Sequence, residues 1–296
     1  MQYITEIDSY QSKHSSAVTL GKFDGLHRGH QKLIDKIREY ASDDVKSIVC
    51  AFDMGKESLL TGEERKERLS SQVDCLIACP FTKEIREMEA EEFIRKILVE
   101  RLHASHIVVG TDFHFGHGKR GDVKMLEEFA PICGYQLDVI EKEKYADREI
   151  SSTYVKEAMA EGNMELVNTL LGFRYHMSGI VEHGAQLGRT LGFPTMNIAP
   201  QKRKIMPRFG VYACDVIVDG QRFHGIGNVG IKPTVAKEPK LLVEVFAFGF
   251  EGDAYGKRVI VEFCSFERSE TKFRSVEELK AQVDADIRYG KAYFSV

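Results

Sequence analysis

One stretch restricts the fold of this chain more than any other: residues 18–33, VTLGKFDGLHRGHQKL. An apolar run stops at Gly21, a turn follows with Phe23, Asp24 and Gly25, and His27 and His30 flank Gly29 where a helix would begin. A buried strand feeding a helix through a glycine turn is the opening unit of a sheet covered by helices. The same junction outlines an anion site, because free N–H groups and the positive dipole end of a helix point at whatever lies there. Glycine lets a phosphate approach the backbone, and two imidazoles can donate to its oxygens. Two plainer readings compete with this one. The histidines could be ordinary surface or core residues, or a metal-ligand pair, although no third ligand stands at useful spacing.

Up to about residue 172 strand-like runs at 18–20, 47–52, 75–78, 107–109 and 137–140 alternate with helical patterns. This predicts a parallel sheet with helices on its faces. Phe93, Ile94, Ile97, Leu98 and Leu102 recur at helical spacing and read as the face packed on that sheet. Ligands of such sheets bind beyond the carboxyl ends of the strands. Two loops fall there, 21–30 and 110–122. The second, GTDFHFGHGKRGD, sets Phe113 and Phe115 among four glycines, and aromatic rings in such a loop must pack on a ligand or on the loop itself. Lys119 and Arg120 beside them are phosphate contacts or plain surface charges. At 150–156 the run ISSTYVK puts Ser151, Ser152 and Thr153 ahead of a helix, where N-capping is the simplest role.

After Gly172 the pattern becomes short alternating strands. Tyr212, Cys214, Val216 and Val218 line one side of a strand that ends in the hairpin signal Asp219-Gly220, and further strands are expected at 223–227, 241–248 and 258–266. Their spacing predicts a small antiparallel barrel, closed by a helix from Ser275 with a capping box to Glu278 and an apolar stripe of Leu279, Val283 and Ile287. Chemistry-bearing strings occur here too. In 188–197, GRTLGFPTMN, glycines leave room for a phosphate, and Thr195 and Asn197 offer uncharged oxygens of the kind that complete a magnesium shell. A second glycine loop is 227–234. Glu244 is the sole charge within the apolar run 241–248, harmless on an open strand face and a general base if it faces a site.

At 296 residues two domains are the expectation, 1–172 and 173–296. Arithmetic on charge, 41 basic minus 45 acidic residues, gives −4, and the tight basic cluster of Lys202, Arg203 and Lys204 reads as a solvated loop, so nucleic acid is not required as a partner. Six scattered cysteines read as reduced thiols, and no 18-residue apolar run or signal-like N-terminus occurs. These features predict a cytoplasmic protein without a membrane partner; a homo-oligomer is left open.

The motifs taken together resemble one family. GKFDGLHRGH is similar to the nucleotidyltransferase signature GxFDGxHxGH, in particular that of bacterial bifunctional riboflavin kinase/FAD synthetases, and the strings at 110–116 and 150–153 resemble that family's GxDFxFG and ISST elements. In the other half GRxLGFPTxN, GxYA at 210–213, GNxGxxPT, and an RxExKF element at Arg268, Glu270, Lys272 and Phe273 resemble its riboflavin kinase domain. The resemblance implies a Rossmann-like nucleotidyltransferase domain of the α/β class followed by an antiparallel β-barrel kinase domain. It implies small-molecule substrates: riboflavin, FMN and ATP with Mg2+, FAD being the final product. Gly21, Phe23, Asp24, Gly25, Gly29, Ser151, Ser152, Thr153 and Lys156 would meet one ATP, and Gly188, Arg189, Gly192, Pro194, Thr195 and Asn197 the other. Asp112, Phe113, Phe115 and Gly116 would line one flavin site, and Arg268, Glu270 and Phe273 the second. His27 and His30 would stabilise charge during adenylyl transfer, Glu244 would be the kinase base, and Thr195 and Asn197 would hold the metal. The chain departs from the family where Phe52-Asp53 runs into Met54, Gly55 and Lys56 instead of Pro-His-Pro, and where Lys156 replaces a common Arg. Those departures leave a second reading, a riboflavin kinase with an inactive or altered adenylyltransferase half, beside a third, a flavin-responsive module without turnover.

Overall fold

The computed structural model describes residues 1–184, 188, 191–233 and 239–296, with the backbone alone at 232 and 233. The chain divides into two compact units, Met1–Ser152 and Thr153–Val296.

The first unit is built on six strands: β1 (Gln2–Ile4), β2 (Ser15–Gly21), β3 (Val45–Asp53), β4 (Cys75–Pro80), β5 (Ala104–Gly110) and β6 (Gln136–Ile140). Every pairing is parallel, in the order β1-β4-β3-β2-β5-β6. From β2 the chain therefore winds outward one way through β3 and β4, then returns past β2 to β5 and β6. That reversal makes the carboxyl ends of β2 and β5 a topological switch point, where open α/β sheets bind ligands. All five predicted strand runs are present. Helix α1 (Arg28–Tyr40) buries Ile34 and Ile37 against the sheet. Helix α2 (Gly62–Leu69) starts with a complete capping box between Thr61 and Glu64. Helix α3 (Val123–Cys133) is capped by Asp122 and ends at Gly134, left-handed at φ 77°. The apolar face at 93–102 is buried as expected, but its backbone is a π-helix, Phe93–Arg101, in which the Leu102 N–H reaches back five residues to Ile97. A wider turn lets adjacent pairs, Phe93-Ile94 and Ile97-Leu98, both face inward.

The second unit begins at the second residue of α4 (Ser152–Glu161) and continues with α5 (Met164–Leu171). The change of sequence character at Gly172 is a helix end, because Gly172 is the left-handed cap of α5 at φ 78°. Six antiparallel strands follow: β7 (His176–Glu182), β8 (Met196–Ile198), β9 (Gly210–Val218), β10 (Gln221–Pro233), β11 (Pro239–Ala247) and β12 (Arg258–Ser269). They close into a barrel in the order β8-β11-β10-β9-β12-β7. Inward positions are apolar and near zero exposure, among them Met177, Ile198, Tyr212, Val216, Val243, Val245 and Val261. The β9–β10 hairpin turns at Asp219 and Gly220, both left-handed, as the Asp-Gly signal requires.

Helix α6 (Val276–Phe294) closes the chain. The Ser275 hydroxyl accepts from the Glu278 N–H at 3.2 Å, but the Glu278 carboxylate accepts from the Arg274 N–H rather than from Ser275. The stripe of Leu279, Val283 and Ile287 is only half-buried, and the deepest positions of α6 are Asp286 and Gly290. Gly290 lets the helix approach so closely that an added Cβ would lie 2.6 Å from Ile226. One expectation is corrected here: Lys204 is not part of a solvated run. It is 6 % exposed, with its ammonium 4.3 Å above the Tyr175 ring, where apolar stem and aromatic face both gain from burial.

Candidate active sites

In the first unit β2 ends at Gly21 and the backbone turns through three left-handed residues, Phe23 (φ 47°), Gly25 (φ 88°) and Leu26 (φ 46°), before His27 caps α1. Gly25 has to be glycine twice over, since an added Cβ would also lie 2.7 Å from Leu59. Asp24 fixes the turn from both of its ends. Its side chain accepts from the Leu59 N–H at 2.6 Å, and its carbonyl accepts from the Ser152 hydroxyl at 2.7 Å. The turn thus delivers His27 and His30 to the first coil of α1, their rings stacked 3.7 Å apart and Phe23 packed 5.0 Å from His30. Gly29 sits against this pair, 3.2 Å from a His27 ring nitrogen if it bore a Cβ.

The electrostatics of the pair differ from those of a surface histidine. Burial holds the His27 imidazole down to about 4, with Asp24 pulling weakly the other way. Burial, then His27 and Arg65, hold His30 well below its usual value. Both rings are neutral at pH 7, so they offer N–H donors without a full charge. Among the described residues the Nδ1 atoms of both rings are buried without a hydrogen-bond partner, the condition of polar atoms shaped for a ligand. Arg28 and Lys32, farther along α1, both pair with Glu143.

The second loop lies at the end of β5. Phe115 is 7 % exposed, packed on Phe93 at 5.5 Å and bridged by its backbone to Gly121. Phe113 stacks on it from the half-exposed side at 5.6 Å. The ring of Phe115 thus packs on Phe93 as well as on Phe113, and Phe113 retains open surface. Gly116, at φ 70°, abuts Ala90, and Asp112 pairs with Lys142 at 2.9 Å. Lys119 and Arg120 are exposed, with Arg120 3.4 Å from Glu89. Met54, 39 % exposed, precedes a turn at Gly55 whose N–H donates to Asp53. Ser151 and Ser152 are half-buried at the end of the unit. Thr153, exposed, and Lys156, half-buried, follow on α4 in the second unit.

In the second unit strand register assembles the site. Asn197 on β8 stands directly opposite Glu244 on β11, which stands opposite Asn228 on β10. Directly paired residues share a face, so two amides flank the carboxylate on the outer wall of the barrel while Val243 and Val245 point into the core. The row continues through Val211 to Arg268, and on its other side to Glu182. Asn197 is 7 % exposed and packs on Gly184, where an added Cβ would lie 2.5 Å from its amide nitrogen. Asn228 donates to Glu270 at 3.4 Å, and among the described residues its Oδ1 is buried without a partner. Glu270 in turn lies over Gly230, whose missing side chain leaves room for the carboxylate. Arg268 is clamped by Asp286 of α6 through two bonds, 2.8 and 2.5 Å. Phe273 is half-buried just beyond.

Beside this row opens a cavity of about 280 Å³, lined by Pro194, Thr195, Asn197, Phe246, Phe250 and Tyr255 among others. Its walls combine aromatic rings with the uncharged side-chain oxygens of Thr195 and Asn197 and with Asp253, a lining suited to a flat heterocycle carrying polar groups. The Gly188 carbonyl accepts from the Phe193 N–H at 2.9 Å, and Gly192 is left-handed and exposed. Arg189 and Thr234 lie outside the described residues.

Comparison with known proteins matches each unit to a different model. The FAD synthetase model covers residues 9–154, and the riboflavin kinase model covers 171–294. A bifunctional riboflavin kinase/FMN adenylyltransferase of Pseudomonas fluorescens is 34 % identical over 99 % of this chain and 97 % of its own length. The chain belongs to this family. The same-named protein of Haemophilus influenzae is 35 % identical, with 94 % of each chain aligned. A crystal structure titled macrolide-efflux protein from Streptococcus pneumoniae superposes with a TM-score of 0.86 at 29 % identity, covering 98 % of both chains. That likeness is one of fold; among the described residues no helix is long and apolar enough to cross a membrane. The riboflavin kinase/FMN adenylyltransferase family thus accounts for both halves of the architecture, the parallel sheet and the antiparallel barrel.

Two residues at these sites escape a reading of sequence. Arg65 sits in GEERKERL, which looks like a solvated helix, yet it is 7 % exposed beside the histidine turn. Asn228 lies in the glycine string at 227–234, but only register brings it opposite Glu244.

Proposed function

We propose that the second unit transfers the γ-phosphoryl group of ATP to a ribityl hydroxyl of riboflavin, and that the first transfers AMP from a second ATP to the FMN so formed. The observation that carries the reading is the cross-strand row in which Asn197 and Asn228 flank Glu244. Isolated carboxylates on apolar strands have no need of two amides and an adjoining cavity.

In the kinase step the riboflavin hydroxyl oxygen bonds to the γ-phosphorus, the bond from that phosphorus to the β-phosphate oxygen breaks, and ADP leaves. Glu244 accepts the hydroxyl proton. Thr195 and Asn197 supply neutral oxygens at the mouth of the cavity. Among the described residues no group of three or more His, Cys, Asp or Glu could hold a metal unaided, so the donor set fits a magnesium ion already balanced by phosphates. Bound there, magnesium would offset the phosphate charge. Arg268 and Glu270 are held on the outer face by Asp286 and Asn228, where they can border the isoalloxazine or its chain.

In the adenylyl step a phosphate oxygen of FMN attacks the α-phosphorus, its bond to the β-phosphate oxygen breaks, and pyrophosphate leaves. His27 and His30 act as neutral donors to the reacting phosphoryl oxygens, and the turn at 22–26 and the start of α1 present backbone N–H groups. Ser151 and Ser152 serve the leaving phosphates. Phe113 and Asp112 border the flavin. The family's substrates and the six free cysteines favour a cytoplasmic location.

Incubation with riboflavin, ATP and magnesium, with flavins separated over time, tests both halves. Wild type yields FMN and then FAD. His30→Ala stops at FMN, and Glu244→Gln makes no FMN but converts supplied FMN to FAD. Undiminished FMN formation by Glu244→Gln would remove the base from its role, and absence of FAD in wild type would remove the adenylyltransferase.

A further inference from the structure

The turn at 22–26 is expensive. Phe23 and Leu26 are L-residues at φ 47° and 46°, a strained conformation for any side chain, and such backbone persists only where its surroundings over-determine it. The segment leading into α2 does much of this holding. The Leu59 N–H bonds to Asp24, the Leu59 side chain fills the space beside Gly25, and Arg65 Nη1 donates to the Lys22 carbonyl at 3.3 Å. The capping box sets the position of Arg65, whose own N–H bonds to the Thr61 carbonyl at 2.9 Å. Its guanidinium is therefore carried in by a rigid helix end and buried to 7 % exposure. Arginine is rarely so buried, and it does not lose its proton there.

The groups facing His30 are His27 and the Phe23 ring from the turn and α1, and Arg65 from α2, while Asp24 acts on His27. Glu64, next to Arg65, is 1 % exposed and accepts from the Thr61 N–H at 3.0 Å. Two neutral histidines cannot balance a triphosphate, and Arg28 and Lys32 are engaged by Glu143. A permanent cation in the wall of the site adds charge that the neutral imidazoles do not carry, and the buried Arg65 guanidinium stands there.

We propose that Arg65 is a positioning residue of the adenylyl-transfer site, fixing the strained turn through the Lys22 carbonyl and lending the histidine pair a permanent positive charge toward nucleotide phosphates. The inference rests on the adenylyltransferase reading. Its charge divides the labour, because a buried cation that disfavours imidazolium keeps His30 a neutral donor over the working pH range.

The test uses the full chain with Arg65→Met and Arg65→Lys. Arg65→Met lowers kcat for FAD synthesis about 100-fold, the scale of losing one preorganised electrostatic group, while the same preparation makes FMN from riboflavin within twofold of wild type. Arg65→Lys keeps the charge and regains at least tenfold of that loss. In Arg65→Met the acid limb of the FAD rate moves to higher pH, because His30 protonates more readily without the neighbouring cation. FAD synthesis by Arg65→Met within threefold of wild type overturns the proposal. So does an unmoved acid limb with Arg65→Lys no better than Arg65→Met, the pattern of a purely structural role. Wild type that makes no FAD overturns the adenylyltransferase reading instead. Calorimetric binding of inorganic pyrophosphate then decides on Arg65: about tenfold weaker binding by Arg65→Met supports it, and equal binding refutes it.

Discussion

Glu267 makes the stability of the barrel depend on pH in a direction opposite to that of most carboxylates. It lies on β12 immediately before Arg268, with Oε2 buried and, among the described residues, without a hydrogen-bond partner. Burial first, then the Asp286 carboxylate, push its acid up to about 7 from 4.5, and Arg268 only partly offsets them. Folded protein therefore keeps a proton between those values that the unfolded chain gives up. The stabilisation is complete below about pH 4.5 and is lost as pH rises through about 7. At 1.36 kcal/mol for each tenfold step the gap corresponds to a ceiling of ~3 kcal/mol, which solvent screening of a half-buried group reduces to about 1–2 kcal/mol. Glu267→Gln fixes the neutral form. It should match wild type at pH 5 and exceed it by about 1–2 kcal/mol at pH 8. Urea unfolding of the full chain, read from the methyl resonances of Val243 and Val245, measures the barrel's own transition. Wild type and Glu267→Gln with the same difference at pH 5 and pH 8 would refute the reasoning.

FAD synthesis should hold its rate from pH 7 to pH 5 rather than fall near 6.5, because burial keeps His27 neutral down to about 4; a half-loss at pH 6–6.5 in a pH–rate profile counts against the neutral-donor role. Gly25→Ala adds a Cβ at φ 88° and 2.7 Å from Leu59, costing the first unit about 1–2 kcal/mol in thermal unfolding and lowering FAD yield while FMN yield stays. Asp286→Ala strands Arg268 against the barrel, for about 3–5 kcal/mol in urea unfolding, and weakens riboflavin binding in a flavin fluorescence titration; unchanged binding would detach Arg268 from the flavin.

Sequence pattern made the architecture readable because both halves obey simple periodicities. Strand runs at 18–20, 47–52 and 107–109 are bounded by glycine or by helix signals, and the alternation at Tyr212, Cys214, Val216 and Val218 points every second residue inward. The histidine turn was legible because its chemistry is local, with Gly21, Gly25, His27 and His30 all within ten residues. Non-local placement was not. Arg65 is carried to the turn by α2, and nothing in a charged run of eight residues separates a buried guanidinium from a solvated one. Asn228 meets Glu244 only through hairpin register, which a shift of one residue would reverse. The π-helical winding at Phe93–Arg101 hides behind a spacing that an α-helix would also satisfy. On α6 the depth of burial was not legible either: a glycine and an acid paired to Arg268 bury more deeply than the half-buried leucine and isoleucine beside them.

The stave that bears Asn197 is the shortest in the barrel. β8 runs for three residues, with three register pairs to β11 and two to β7, whereas β9 and β10 share nine. Its amides should be the first of the barrel to exchange with deuterium, through local opening far below the global unfolding energy. A nucleotide that grips Asn197 would then act as the missing fastener of the cylinder. Occupancy of the pocket would be recorded as slowed exchange at three adjacent amides.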